Sequence, residues 1–401
     1  MLQKSGVVSL GSAVAGAAMT GCAASTDPPP EAASVTVTGL EIFRVHVNQR
    51  GDWVIPRLQT SAGVTGIGDA SHHAANTDPR VKLQEYFEVL RGRSVFDVEW
   101  FRQQLQPDIL KLGRSAACAF SGIEQALYDI QGQVLGVPAY QLFGGKLRST
   151  LRNYANINRS AEPRTPAGFA DMASKAVAAG FDAIKLASFD GMPLRGSAAE
   201  IEAHTQRGID IIAAVREAIG PDADLLVDAH SNFDLKRGLD LAKRLEQYDL
   251  FWLEEVCPSL EDLAAINQQA SMTTAGGESL YGLQENHEYI AAGAADILMP
   301  DVKYCGGMLE LKKIAAVAEA AGVPVSPHGP ASPIGNVSSG HICAGMPNFL
   351  ILEFSYGEAP WRAELIDPPE QIGPGGILTI SDRPGLGIRL NETVAAEHKA
   401  D

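Results

Sequence analysis

Seven polar side chains close short apolar runs along the chain: Lys185, Asp228, Glu254, Glu278, Asp301, His328 and Glu353. From Asp228 onward they stand 23 to 27 residues apart. Three of them, Asp228, Glu254 and Glu278, are carboxylates, and carboxylates gathered at one place repel unless a cation lies among them. An all-oxygen set without His or Cys suits a hard ion, which makes Mg²⁺ the expected metal, with water and substrate oxygens completing its shell. His230 follows Asp228 by two places in "LLVDAHSNFD". Residues two apart on a strand share a face, so His230 looks where Asp228 looks.

Side chains so far apart in sequence meet only if the strands that carry them are parallel and end at one rim. Beyond Arg152, apolar runs at "NYANIN", "FDAIKLA", "DLLVDAH", "DLFWLEEV", "TTAGGES", "ADILMPDVK", "VPVSPHG" and "FLILEFS" alternate with helical patterns such as "GIDIIAAVREAIG" and "LELKKIAAVAEAAG". Eight strands interleaved with helices make a (β/α)8 barrel, whose strand C-termini share one mouth. The interval between the polar residues matches one βα unit of such a barrel. A doubly wound open sheet would want a Gly-rich phosphate turn after its first strand, and "NINRSAEPRT" is not one. Before Arg152, strands at "VTVTGLEIFRVHV" and "DWVIPRLQTSAGVTGIGDAS" precede helical patterns from Asp78 to about Gln133, an α+β unit.

With 401 residues and 45% hydrophobic content, the chain can fill a large core. A formal charge of −16 argues against nucleic acid, whose phosphates call for clustered Lys and Arg. The five cysteines show no zinc-type spacing. Cys22 stands apart: Lys4, an apolar run from Val7 to Met19, "TGC" and a Pro-rich linker resemble a bacterial lipoprotein export signal. That reading expects an exported chain, periplasmic or tethered to a membrane through lipidated Cys22; without it the chain would be cytoplasmic. The apolar run is too short to span a bilayer.

The polar ladder in "WLEEV", "GGESL", "MPDVK", "SPHGP" and "LILEF", with "SGIEQALYDIQGQVLG" and "PGLGIRLNE", resembles the enolase superfamily and its mandelate racemase subgroup. The resemblance implies a modified (β/α)8 barrel with an α+β capping domain. Residues 1–34 would be the export segment and linker, 35–152 the cap, 153–356 the barrel, and 357–401 a tail returning to the cap. It also implies homo-oligomeric assembly and removal of a proton next to a substrate carboxylate. Asp228, Glu254 and Glu278 would bind Mg²⁺, and His328 with Asp301 would form the base. Lys185 and Glu353 would flank the substrate carboxylate, Glu353 as a protonated donor with a raised pKa. The subgroup's racemases carry a second Lys two places after the first, where this chain has Ala187.

In the subgroup's sugar-acid dehydratases, galactonate dehydratase among them, a His two places after the metal-binding Asp protonates a departing hydroxyl. His230 matches it. The resemblance therefore implies β-elimination of water from a sugar acid, giving a 2-keto-3-deoxy acid. Arg50, His72 and His73 in the cap loops, and Asn156, Asn158 and Arg159 at the end of the first barrel strand, are the candidates for gripping that substrate. The insertion at residues 188–205 would form a lid or a surface excursion. Two alternatives stay open: a racemase, epimerase or cycloisomerase on the same scaffold, and a non-catalytic exported binder of sugar acids.

Overall fold

A computed structural model describes residues 34–49, 51–71 and 78–400. Cys22 and the export segment, together with Arg50, His72 and His73, lie outside the described residues.

The first unit is a three-stranded antiparallel sheet backed by helices. Strands β1 (Val37–Asn48) and β2 (Gly51–Thr60) form a hairpin, and β3 (Thr65–Ile67) adds to β2. Helices α1 (Arg80–Leu90), α2 (Val98–Leu112) and α3 (Arg114–Leu135) follow. α3 is buried from Ala116 to Gly132, because its small Ala, Ser and Gly positions let neighbouring backbone come close. Two glycines near β3 carry this contact. A Cβ at Gly66 would stand 2.2 Å from the Ala126 carbonyl oxygen, and one at Gly68 only 2.0 Å from that of Gly122.

The second unit alternates strand and helix. In chain order it contains β4 (Thr150–Asn156), α4 (Pro166–Ala178), β5 (Ala183–Leu186), α5 (Ala198–Ile219), β6 (Asp224–Asp228), α6 (Leu235–Leu245) and β7 (Leu250–Glu254). It continues with α7 (Leu260–Gln269), β8 (Thr274–Gly276), α8 (Gly282–Ala291), β9 (Ile297–Leu298), α9 (Gly307–Ala320), α10 (Pro333–Cys343) and β10 (Leu352–Ser355). Strands β4 to β9 pair in parallel sequence, and β10 pairs β4 to close the ring. The run expected as a strand at "VPVSPHG" is reduced to bridges from Val325 to Leu298 and to Phe349. Pro324 and Pro327 flank that bridge, and neither has an N–H to give to a ladder.

Inside the ring the side chains form two layers. The lower one is apolar: Tyr154, Ala183, Leu226, Trp252, Ala275, Ile297, Met299 and Ile351 pack together. Two places further along their strands come Asn156, Lys185, Asp228, Glu254, Asp301 and Glu353, so the period of two that buries the lower layer also points these polar groups up at the mouth. Glu278 comes three places after Ala275; Gly277, with φ +99°, absorbs the extra residue.

The C-terminal segment runs back beside β1, where the His46 N–H donates to the His398 carbonyl (2.7 Å) and Arg57 pairs with Glu392 (2.6 Å). No helix among the described residues is long and apolar enough to cross a membrane. Cap and barrel also join at a buried carboxyl: Glu124 of α3 accepts the N–H groups of Met308 (2.8 Å) and Leu309 (3.0 Å) in the first turn of α9. Burial pushes Glu124 up to about 8 from its ordinary 4.5, although the two N–H groups pull the other way. A group raised by folding stabilises most below its ordinary value and loses that contribution as pH climbs through its folded value. The wild type should therefore lose stability relative to Glu124→Gln between about pH 4.5 and 8, measured as the difference in thermal midpoint at pH 5 and pH 9. A difference that does not change with pH would show that Glu124 is not the titrating joint.

Candidate functional site

At the mouth, Asp228, Glu254 and Glu278 each offer a carboxylate oxygen, all within 4.8 Å of one another. Asp228 and Glu254 are partners across β6 and β7. Trp252, two places before Glu254, donates its indole N–H to Glu254 Oε2 (2.9 Å) and so leaves Oε1 as the inward oxygen. Glu278 Oε2 is buried without a hydrogen bond, and the His328 imidazole lies beside it. Three carboxylates, one with an unsatisfied oxygen, are a fitting donor set for a hard divalent cation.

One ammonium and two imidazoles face this cluster. Lys185 bonds Glu254 and lies 3.3 Å from Asp228 Oδ2 and 3.8 Å from Glu353 Oε1. Burial opposes its charge, yet Glu254, Glu353 and Asp228 hold its pKa well above the ordinary range. The imidazoles approach from two other ligands. His328 Nε2 is 3.1 Å from Glu278 Oε2, while its Nδ1 is 2.7 Å from Asp301 Oδ2. His230 Nε2 is 3.0 Å from Asp228 Oδ2, while its Nδ1 is 2.5 Å from Asp190 Oδ1. Asp228, followed by Asp190, lifts His230 to about 11 against the pull of burial. The crowded carboxylates part company: burial and Asp228 drive Glu254 well up, whereas His230 and Lys185 overcome burial and drive Asp228 down.

The expectation that Glu353 has a raised pKa is corrected. Burial would raise it, but Lys185, His328, the Gly329 N–H (2.8 Å) and the Asn156 amide (2.5 Å) together hold it below the ordinary carboxylate range. Its Oε1 accepts from the Asn156 amide and its Oε2 from the Gly329 N–H. The Arg159 guanidinium pairs with buried Glu358 at 2.9 Å. Asn156 binds Glu353, and Asn158 donates to Asp190 Oδ2 (3.1 Å). Ala187 is buried, and its carbonyl accepts from Arg164 (2.9 Å).

Several site residues escaped the sequence reading. Asp190 and Arg164 come from loops, and only the polar "FD" just after Lys185 hinted at one of them. Lys303, fully buried, stands 3.5 Å from Asp301 Oδ2 and donates to the Pro330 carbonyl (3.1 Å); its spacing of two from Asp301 was the available sign. Glu255, the second acid of "LEEV", has φ +46°, accepts the Gly277 N–H (2.6 Å) and supports the turn behind Glu278.

Comparison with known proteins agrees with this geometry. Residues 35–144 match the mandelate racemase / muconate lactonizing enzyme N-terminal domain, and residues 168–394 match the enolase C-terminal domain-like family. A D-xylonate dehydratase of Haloferax volcanii is 31% identical over 94% of this chain and 92% of its own. A D-gluconate dehydratase of Thermoproteus tenax is 31% identical over 87% and 70%, and a D-galactarolactone cycloisomerase of Agrobacterium fabrum 33% identical over 70% and 74%. The crystal structure of a mandelate racemase/muconate lactonizing enzyme-like protein from Rubrobacter xylanophilus superposes with a TM-score of 0.82 at 30% identity, covering 92% of this chain and 98% of that one. The chain belongs to the mandelate racemase and muconate lactonizing enzyme family of the enolase superfamily, and it is an enzyme.

Mg²⁺ added to the metal-free protein should raise its thermal midpoint, since a ligand at about a hundred times its Kd stabilises by about 2.7 kcal/mol. The double variant Asp228→Asn, Glu278→Gln should show no such rise in the same melt; an undiminished rise would place the cation elsewhere.

Proposed function

We propose that this hydro-lyase removes water from a sugar acid. His328 takes the proton next to the substrate carboxylate, and His230 gives a proton to the departing β-hydroxyl. The carbon–hydrogen pair becomes a carbon–carbon double bond as the carbon–oxygen bond breaks. Water leaves, and the resulting enol tautomerises to a 2-keto-3-deoxy acid. The observation that carries the reading is the pair of imidazoles: each turns its Nε2 to a different member of the carboxylate triad and its Nδ1 to a separate aspartate. A base and an acid are thereby aimed into one space from two directions.

Asp228, Glu254 and Glu278 would hold Mg²⁺, which when bound acts as a Lewis acid on the substrate carboxylate. Lys185 adds fixed positive charge beside that carboxylate, and such preorganised charge typically contributes about 3 kcal/mol to a developing anion. Asp301 holds the His328 ring in place and favours the imidazolium it becomes, and Asp228 and Asp190 flank the ring from which His230 gives its proton. Asn156 and Asn158 supply amides at the end of β4 for substrate hydroxyls. The sugar-acid class is supported by the named activities of the xylonate and gluconate dehydratases. A second reading, proton transfer without loss of water, is favoured by the cycloisomerase relative. Ala187 counts against its two-base racemase form, because it supplies no second ammonium.

Incubation of the full chain with Mg²⁺ and D-xylonate, D-gluconate or D-galactonate in D₂O separates these readings. Dehydration should yield a 2-keto acid that has lost one water and taken one deuterium from solvent at the carbon next to the keto group. His328→Asn should slow both deuterium uptake and water loss by about 10²- to 10⁴-fold. Deuterium uptake or isomerisation without water loss would favour the second reading, and no reaction on any sugar acid would overturn the first.

A further inference from the structure

Asp190 lies in the connection between β5 and α5, the insertion expected to be a lid or a surface excursion, and its side chain is turned inward. Phe189 anchors the segment: its ring packs edge-on against Phe233 with centroids 5.1 Å apart and seats on α5 at Gly208, where a Cβ would come within 2.4 Å of it. Beyond Asp190, Gly191 turns the chain at φ +80°, and a capping box between Ser197 and Glu200 starts α5. The Asp190 carboxylate is held at both oxygens. Oδ1 meets His230 Nδ1 at 2.5 Å, and Oδ2 accepts from Asn158 and Arg164, each at 3.1 Å.

His230 is itself in an unusual backbone state. It and Ser231 have φ of +46° and +54°, a left-handed pair without glycine. The His230 N–H donates to Asp228 Oδ1 (2.8 Å), and the Ser231 N–H to the Glu255 carbonyl (2.5 Å), which holds the turn. Non-glycine residues remain in this region only when their surroundings over-determine them, and such positions cluster at functional sites. The turn sends the imidazole back over Asp228 and into reach of Asp190. An Nδ1 that faces a carboxylate carries a proton, so Nε2 is the nitrogen that looks into the mouth. The arrangement repeats that of His328, with Nδ1 on Asp301 and Nε2 toward Glu278.

We propose that Asp190 is the positioning residue of His230, making with it a second carboxylate–imidazole pair across the mouth from Asp301 and His328. The inserted connection is then part of the acid half of the site, and Arg164 and Asn158 keep its carboxylate in place. The inference rests on the dehydratase reading, in which His230 protonates the leaving hydroxyl.

The test compares Asp190→Ala, Asp190→Asn and His230→Ala with wild type on D-xylonate, D-gluconate and D-galactonate in D₂O. Asp190→Ala should lower kcat for water loss by about 10- to 100-fold, with little change in KM, and should lower the ratio of water lost to deuterium gained. Asp190→Asn keeps an acceptor for Nδ1–H and should restore most of that ratio. The crystal structure of Asp190→Ala should show the imidazole turned so that Nε2 has left hydrogen-bond reach of Asp228. If His230→Ala lowers the ratio while Asp190→Ala leaves ratio and ring unchanged, the positioning inference is wrong and the acid assignment stands. If His230→Ala also leaves the ratio unchanged, the acid assignment itself fails.

Discussion

Mutual repulsion among three carboxylates, two of them buried and Glu278 partly so, is the constraint around which this barrel is arranged. At an effective dielectric of about 20, two unit charges no more than 4.8 Å apart repel by roughly 3 kcal/mol or more. Three such pairs would exceed much of a domain's net stability if nothing opposed them. The structure opposes them with Lys185 in their midst, with the His230 imidazole beside Asp228, and with the Trp252 indole tying back one Glu254 oxygen. Removing one cation would leave buried charge uncompensated, which costs more than the pair itself contributes. The same groups that make the cluster tolerable are therefore those the proposed chemistry uses.

The strand period of two turns this constraint into a place. The apolar layer of Leu226, Trp252, Met299 and Ile351 fills the ring, and the layer directly above it consists of polar groups from the same strands. A chain with strands of correct length but a register slipped by one would bury Asp228 among the outer helices and face Val227 to the mouth. Core packing and site geometry thus select the same register. Glu278 is the exception that needed its own device, the positive-φ turn at Gly277.

This explains what could be read in advance. The barrel was legible because hydrophobic runs alternate with helical patterns at a regular interval, and the triad was legible because each member ends such a run. Polar partners that come from loops left no periodic trace. Asp190 sits in an insertion, Arg164 follows the first barrel strand by eight residues, and both reach the site through tertiary contacts alone. The Glu353 pKa shifts opposite to the expected direction for a related reason. Burial is legible from its apolar strand, whereas the hydrogen bonds from the Gly329 N–H and the Asn156 amide are not. The strand at "VPVSPHG" was overread, since its apolar residues fit a strand and its prolines do not allow the ladder.

The cap braces the rim, because three of its residues hold loops that follow site residues. Asp69 Oδ2 accepts both the N–H and the hydroxyl of Ser332 (2.8 Å each), four places after His328 and at the start of α10. Arg114 binds the hydroxyl of Ser279, next to Glu278. Glu124 caps α9, which begins six residues after Asp301. Each contact crosses from the first unit to the barrel just past one of Glu278, Asp301 and His328, and together they brace the half of the rim that carries these three. The other half, with Asp228 and His230, is braced from within the barrel by Asp190, Arg164 and Asn158. The base side of the site thus depends on docking of the cap, whereas the acid side depends on a loop of the barrel itself. The two imidazoles, though alike in their partners, are held by separate parts of the fold, so disturbing the cap should displace His328 before it displaces His230.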